Sequence, residues 1–150
     1  MAEILPHVDI GFFGSDNLVF FQKFLIYKSK INMNYLQAAQ EIKEVITDIQ
    51  NELKENRTQN SYSVIQTFTD RIKSMIRQND RNILFKSLKK MDEIYKNGDI
   101  MLKNAVENIF IYSLDNYTAF CSEEYRKVIF SHISQDLQKI YSRQIYSHGT

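Results

Sequence analysis

The sequence has 150 residues, of which 43% are hydrophobic and 25% charged, so it is long enough to form one domain with a buried core. Its formal net charge of +1 gives no global attraction to nucleic acid or to an anionic membrane, and no apolar run reaches the roughly 18 residues of a membrane span. The single cysteine excludes an intramolecular disulfide, and the N-terminus lacks a signal-peptide pattern, so we expect a soluble, cytoplasmic protein.

The first part of the chain differs from the rest, since it contains the only proline and two of the four glycines. A polar pair can cap a helix over about 17–30, although the β-branched and aromatic residues there are also compatible with a strand. A well-formed helical pattern follows directly after Met33. We therefore interpret residues 1–32 as an N-terminal extension and residues 33–150 as a single helical domain.

From Asn34 onward, apolar residues recur at the three- and four-residue spacing of amphipathic helices. The predicted helices span, in chain order, about 34–55, from Ser61 or Ser63 to about 78, then 81–97, 100–114 and 123–142. The helix over 100–114 is apolar on most of its faces, which is typical of a helix surrounded by others, so we place it at the centre of the core.

The turns between the predicted helices are short. Gly98 suits the left-handed residue after a helix, and Asp99 and Ser122 are natural N-caps. Because short connections make neighbouring helices antiparallel, we predict an all-α fold, a compact bundle of five to six antiparallel helices arranged as helical hairpins. A short solenoid is the alternative, but no convincing internal repeat supports it.

The residue types that carry catalysis or bind metals are sparse. His7 and His148 lie near the termini, and His132 lies beside the apolar stripe of the last helix, where packing is the simpler role. Cys121 would be about 16 Å from His132 on one continuous helix, too far for a nucleophile–base pair. We therefore predict no catalytic residues, no metal site and no cofactor, and an enzyme ranks last among the possible functions.

Basic residues are concentrated in one part of the chain. Nine basic residues and five acidic ones lie between Asp70 and Lys103, whereas five acidic and two basic residues lie between Glu41 and Glu55. A basic stripe can contact phosphates, but the acidic residues that interrupt it favour an exposed face neutralised by its acidic neighbour. Nucleic acid is thus the less favoured partner, and no small-molecule substrate is indicated.

Tyrosines are concentrated toward the C-terminal part of a chain that has nine tyrosines and no tryptophan. Tyrosine adds apolar area with a polar tip, which suits a protein interface and equally the rim of a helical core. With both roles open, we select Tyr112, Tyr117, Tyr125 and Tyr141 as candidate partner-binding residues.

The run "LFKSLKKMDEIYKNGD", followed by "LKNAVENIFIYSL", resembles an uncharacterised family of small helical proteins common in Bacteroidetes, over about residues 63–120. The resemblance implies a domain of unknown function whose relatives are suspected immunity proteins, each of which binds and occludes a cognate toxin. Within the matching motif, Asn104, Glu107 and Asn108 are polar candidates for partner contact, with capping or buried hydrogen bonds as the alternative role. A nearly neutral net charge departs from the acidic character of immunity proteins against nucleases. A helical adaptor, or a homo-oligomer that binds a second copy, is the alternative function.

Overall fold

The computed structural model describes residues 19–20, 22–23, 32–55 and 59–148, and over these residues the chain is all-α. The predicted helix over 17–30 lies mostly outside the described residues. The helices are α1 (Tyr35–Val45), α2 (Gln50–Glu55), α3 (Ser61–Gln78), α4 (Arg81–Asn97), α5 (Ile100–Ala105), a π-helix (Val106–Ile111), α6 (Leu114–Thr118), α7 (Glu123–Ser131) and α8 (Gln135–His148).

Two helices begin with a reciprocal pair of side-chain hydrogen bonds. At α1 the Gln37 amide donates to Asn34 Oδ1 at 3.0 Å, and the Asn34 amide donates to Gln37 Oε1 at 2.9 Å. At α3 the cap is Asn60, because the Ser63 amide donates to Asn60 Oδ1 at 2.9 Å while Ser63 Oγ accepts from the Asn60 amide at 3.0 Å. The expected cap at Ser61 or Ser63 is therefore wrong, because the N-cap is Asn60. Ser63 takes part in the capping box as the third residue of the helix.

Two helices that the apolar period predicted as continuous are each broken. The helix expected over 34–55 stops at Val45 and resumes at Gln50, and the intervening turn buries Ile46 and Ile49. The helix expected over 123–142 stops at Ser131, and Ser134 Oγ accepts from the backbone of α8 at 3.2 Å to start the next one. Both breaks preserve the helical apolar spacing, which is why the spacing did not reveal them.

The predicted helix over 100–114 is not a uniform α-helix. After α5 it widens into the six-residue π-helix, in which the Tyr112 amide donates to the Glu107 carbonyl five residues earlier, at 3.2 Å. A π-helix is rare, and short ones occur frequently at functional sites. The wider turn ends before Ser113, and the chain then forms the separate short helix α6.

Helix α3 has the most central position in the core. It packs against α1, α2, α4, α5, the π-helix and α6, and the side chain of its Phe68 is fully buried. The segment 100–114 joins the core through residues such as Phe110, but Ile100, Met101 and Tyr112 are exposed, so the expectation that it lies at the centre is wrong. Helix-on-helix packing around one continuous core matches a compact bundle.

Met33 connects the start of the described domain to the turn between α4 and α5. Its amide donates to the Asn97 carbonyl at 2.8 Å, its carbonyl accepts from the Asp99 amide at 2.7 Å, and its side chain is only 1% exposed. Gly98 has φ −75°, so it is not the left-handed residue expected there. Glycine is needed for space instead, since a Cβ would lie 2.5 Å from the Ile94 carbonyl oxygen.

No helix among the described residues is both long enough and apolar enough to cross a lipid bilayer.

Candidate functional site

A tight left-handed turn joins α3 to α4 and begins the candidate site. Asn79 has φ 59° and ψ 35°, a conformation that asparagine tolerates better than most residues. The Asn79 amide donates to the Ile76 carbonyl at 3.2 Å and the Asp80 amide to the Met75 carbonyl at 3.0 Å, which is the Schellman pattern of a helix end. Because α4 begins at Arg81, the last turn of α3 and the first turn of α4 meet at this corner.

The connection between α6 and α7 forms the opposite side of the site. Ser122 Oγ accepts from the Tyr125 amide at 3.1 Å and so caps α7, as the sequence predicts. The Tyr117 hydroxyl is buried and donates to the Phe110 carbonyl at 2.8 Å, which anchors α6 to the π-helix. Phe120, in the turn between α6 and α7, is 97% exposed. A fully exposed phenylalanine contributes nothing to the core.

A groove of about 710 Å³ lies between these two parts of the chain. It is lined by Lys73, Ile76, Arg77, Asn79, Arg81, Asn116, Tyr117, Phe120, Cys121, Ser122 and Tyr125. The Arg81 guanidinium lies 4.5 Å from the centroid of the Tyr125 ring, and its Nε donates to Asn79 Oδ1 at 3.0 Å. One side of the groove is therefore basic and the other aromatic; hereafter it is called the basic–aromatic groove.

The three cations of the groove have no acidic partner among the described residues. Within the part of the chain that the structure describes, Lys73, Arg77 and Arg81 form no ion pair. Two other residues of the basic stripe behave differently. Arg71 pairs with Asp48 at 2.9 Å and with Glu52 at 2.6 Å, and Lys90 pairs with Glu41 at 2.9 Å and with Glu93 at 2.8 Å. Neutralisation by the acidic helices is thus confirmed for Arg71 and Lys90 but does not extend to the groove.

The groove holds neutral rather than anionic acid groups. Burial raises the pKa of the Cys121 thiol, although Arg126 acts in the opposite direction. Burial also raises the pKa of Tyr125, opposed by the nearby Arg81. The Tyr125 hydroxyl is shielded from solvent and has no hydrogen-bond partner among the described residues. Asp80, which precedes Arg81 in the Asn79 turn, also raises the pKa of Tyr125, so one carboxylate lies near the groove, although it forms no ion pair with the three cations.

The structure divides the four tyrosines predicted as partner contacts between two places. Tyr117 and Tyr125 lie in the basic–aromatic groove, whereas Tyr112 and Tyr141 line a smaller pocket of about 260 Å³ near the start of α6. The Tyr141 hydroxyl donates to the Asp115 carboxylate, which also accepts from Arg126 at 2.8 Å. That network ties α8 to α6 and α7, so Tyr141 has a structural role already.

The polar residues of the matching sequence motif are not gathered into the groove. Glu107 Oε2 accepts from the Tyr95 hydroxyl at 2.7 Å, and Asn108 Nδ2 donates to the Tyr62 hydroxyl at 3.1 Å. Asn104 is exposed on α5. The Glu107 contact is partly buried, which agrees with the alternative of a buried hydrogen bond. The Asn108 contact is exposed and links residues distant in sequence, so it is neither a cap nor a buried hydrogen bond.

His132 does not approach Cys121 as a catalytic partner. Its ring stacks on Phe85 with centroids 3.8 Å apart, and its Nδ1 lies 2.9 Å from the Val128 carbonyl oxygen. Cys121 lies in the basic–aromatic groove, whereas His132 lines a different pocket. Among the described residues, no group of three or more histidine, cysteine, aspartate or glutamate side chains could hold a metal ion.

Reasoning from the sequence missed Phe120 and the particular cations of the groove. Lys73, Arg77 and Arg81 are four residues apart, a spacing that places them in one row along a helix, and this signal was available. Phe120 had no such signal, because an isolated phenylalanine between a helix end and a cap reads as part of the core.

The fold and the groove define an all-α helical domain with a basic–aromatic groove on its surface. The chain belongs to the family described as domain of unknown function (DUF7674), whose model matches residues 38–147. No curated protein and no solved structure matches the chain.

Proposed function

We propose that this chain is a protein-binding module that holds a segment of a partner protein in the basic–aromatic groove. The observation that carries the proposal is the exposed Phe120 ring beside three unpaired cations and the two groove tyrosines. Aromatic residues and arginine are enriched in the residues that dominate binding energy at protein interfaces. A ring exposed at the edge of a groove gains burial only when a partner covers it.

The particular form we propose is a cytoplasmic bacterial immunity protein that occludes a cognate toxin. The support is the resemblance of the sequence to small helical proteins of Bacteroidetes, together with a groove that combines cations with an exposed aromatic ring. Such a protein acts without turnover, which is compatible with a groove whose cysteine and tyrosine are both uncharged. The uncompensated cations indicate that the bound part of the toxin is acidic.

The experiment is capture of the tagged chain from its native cells, compared with two variants that each replace one exposed aromatic residue with aspartate. Phe120→Asp places a charge in the groove, and Tyr146→Asp places one at a residue that is 76% exposed and lies outside it. We expect one protein to be recovered in stoichiometric amount with the wild type and with Tyr146→Asp, and to be lost with Phe120→Asp. Rescue of cells that express the recovered protein would establish the immunity role.

Other results contradict the proposal. Recovery of the chain alone at twice its own mass would favour the alternative of a homo-oligomer. Recovery of a partner that Phe120→Asp retains as well as the wild type would place the interface elsewhere on the surface.

A further inference from the structure

We propose that the basic–aromatic groove recognises an acidic segment whose carboxylates pair with Lys73, Arg77 and Arg81 and whose apolar side chain packs beside Phe120. The inference rests on the proposed function, since it specifies the chemistry of the partner at the same site. It concerns side chains that the ion pairs of the neighbouring helices leave uncompensated.

Two of the cations lie one helical turn apart. Lys73 and Arg77 are four residues apart on α3, which corresponds to a rise of about 6 Å. Arg81 lies beyond the left-handed Asn79 turn, at the first position of α4, and lines the same groove. An acidic helix repeats its side chains every four residues with the same rise of about 6 Å, so glutamates one turn apart match Lys73 and Arg77.

Arg81 is already held in place for such a contact. Its Nε donates to Asn79 Oδ1 at 3.0 Å, and its guanidinium packs over the Tyr125 ring. Its two Nη nitrogens form no hydrogen bond with a described residue. A guanidinium that is oriented beforehand loses less side-chain entropy when it pairs with a carboxylate.

The apolar part of the groove indicates what else the segment carries. Ile76 and Tyr117, both nearly buried, line the groove together with the exposed Phe120. A leucine or phenylalanine of the partner that enters there covers the Phe120 ring. Recognition thus combines charge pairing on the α3 side with apolar contact on the α6–α7 side.

The aromatic residues favour a protein segment over single-stranded nucleic acid. Nucleic acid of that kind binds by stacking its bases on exposed aromatic faces. Here the Tyr125 ring is covered by Arg81, and Tyr117 is only 6% exposed with its hydroxyl bonded to Phe110. Phe120 alone among the groove aromatics offers a free face.

The test is a titration of the ¹⁵N-labelled chain with a short helical peptide that carries glutamates one turn apart and one phenylalanine. A matched peptide with glutamine in place of glutamate is the control. We expect amide shifts to cluster at the last turn of α3, the Asn79 turn and the start of α7, and the affinity to fall as salt is raised. Arg77→Glu is expected to weaken binding about tenfold, whereas Lys139→Glu, on α8 and outside the groove, leaves it unchanged.

Several results would overturn the proposal. The first is that millimolar peptide causes no amide shifts, and the second is that the glutamine peptide binds as tightly as the glutamate peptide. The third is that inorganic phosphate causes the same shifts at the same affinity. The fourth is that single-stranded DNA binds more tightly than the glutamate peptide. Capture from native cells with Arg77→Glu tests the acidic segment separately from the protein-binding module. A partner recovered equally by the wild type and Arg77→Glu leaves a protein-binding module but rejects the acidic segment, whereas no partner with either rejects the module.

Discussion

Phe120 provides a direct test of the groove, because its role in folding and its role in binding are expected to separate. The side chain is 97% exposed, so Phe120→Ala removes almost no buried surface. We expect the free energy of unfolding to change by less than about 0.5 kcal/mol, which is typical of surface substitutions. Thermal unfolding followed by circular dichroism measures this directly.

The effect of the same substitution on partner binding is expected to be large. A phenylalanine buries about 150–250 Å² when it is covered, which at about 25 cal/mol per Å² gives an upper bound of about 4–6 kcal/mol. Ordering the interface offsets part of that gain, and truncation at an interface hot spot typically costs about 2 kcal/mol or more. A loss of about 2 kcal/mol corresponds to about a thirtyfold rise in Kd.

Isothermal titration calorimetry with the captured partner measures the change in Kd, and Tyr146→Ala is the matched control, since Tyr146 is 76% exposed and lies outside the groove. An unchanged Kd for Phe120→Ala would refute the assignment of the ring to the interface. A loss of more than about 1 kcal/mol of folding stability would refute the premise that the ring is free of the core.

Three further predictions concern the fold that supports the groove. Gly98→Ala places a Cβ 2.5 Å from a backbone carbonyl oxygen, so we expect a loss of about 1–3 kcal/mol in urea denaturation, and an unchanged midpoint would contradict the close packing. Asn60→Ala removes the α3 cap and is expected to cost about 1 kcal/mol, whereas Asn60→Ser is expected to retain most of that stability. Burial, and then the hydrogen bond to Glu107, raise the pKa of Tyr95 from 10.0 to about 12. Its contribution to stability is therefore complete below pH 10 and lost as the pH rises toward 12, and Tyr95→Phe should remove this part of the alkaline decline.

The helical class and most helix positions follow from the apolar spacing, because burial of one face is what stabilises a helix in a bundle. The same spacing could not reveal where a helix bends. Ile46 and Ile49 keep the period of the stripe while lying in a turn, and both are buried. The sequence pattern also does not reveal the π-helix, because one extra residue per turn shifts the apolar face without ending it.

Single residues at the helix ends were harder to assign than the helices themselves. Asp99 and Ser122 cap as expected, because the short polar side chain of each accepts from the backbone amide three residues later. Residue type alone was a poor guide at Gly98 and Asn79. Asn79, not the glycine, has the left-handed conformation. Gly98 is required because it packs closely against α5, and such a tertiary contact cannot be read from the sequence.

The candidate site combines two weak sequence signals, the basic stripe and the tyrosines, at the Asn79 turn. The sequence offered a basic stripe and a group of tyrosines, and each had an equally simple structural explanation. For Arg71, Lys90 and Tyr141 that explanation is what the contacts show, since each is already paired. The left-handed Asn79 turn leaves Arg77 and Arg81 away from the acidic helices and against the α6–α7 connection. The groove thus brings cations that form no ion pair with a described residue beside the exposed Phe120 ring, and that combination, rather than either signal alone, is what favours a recognition site.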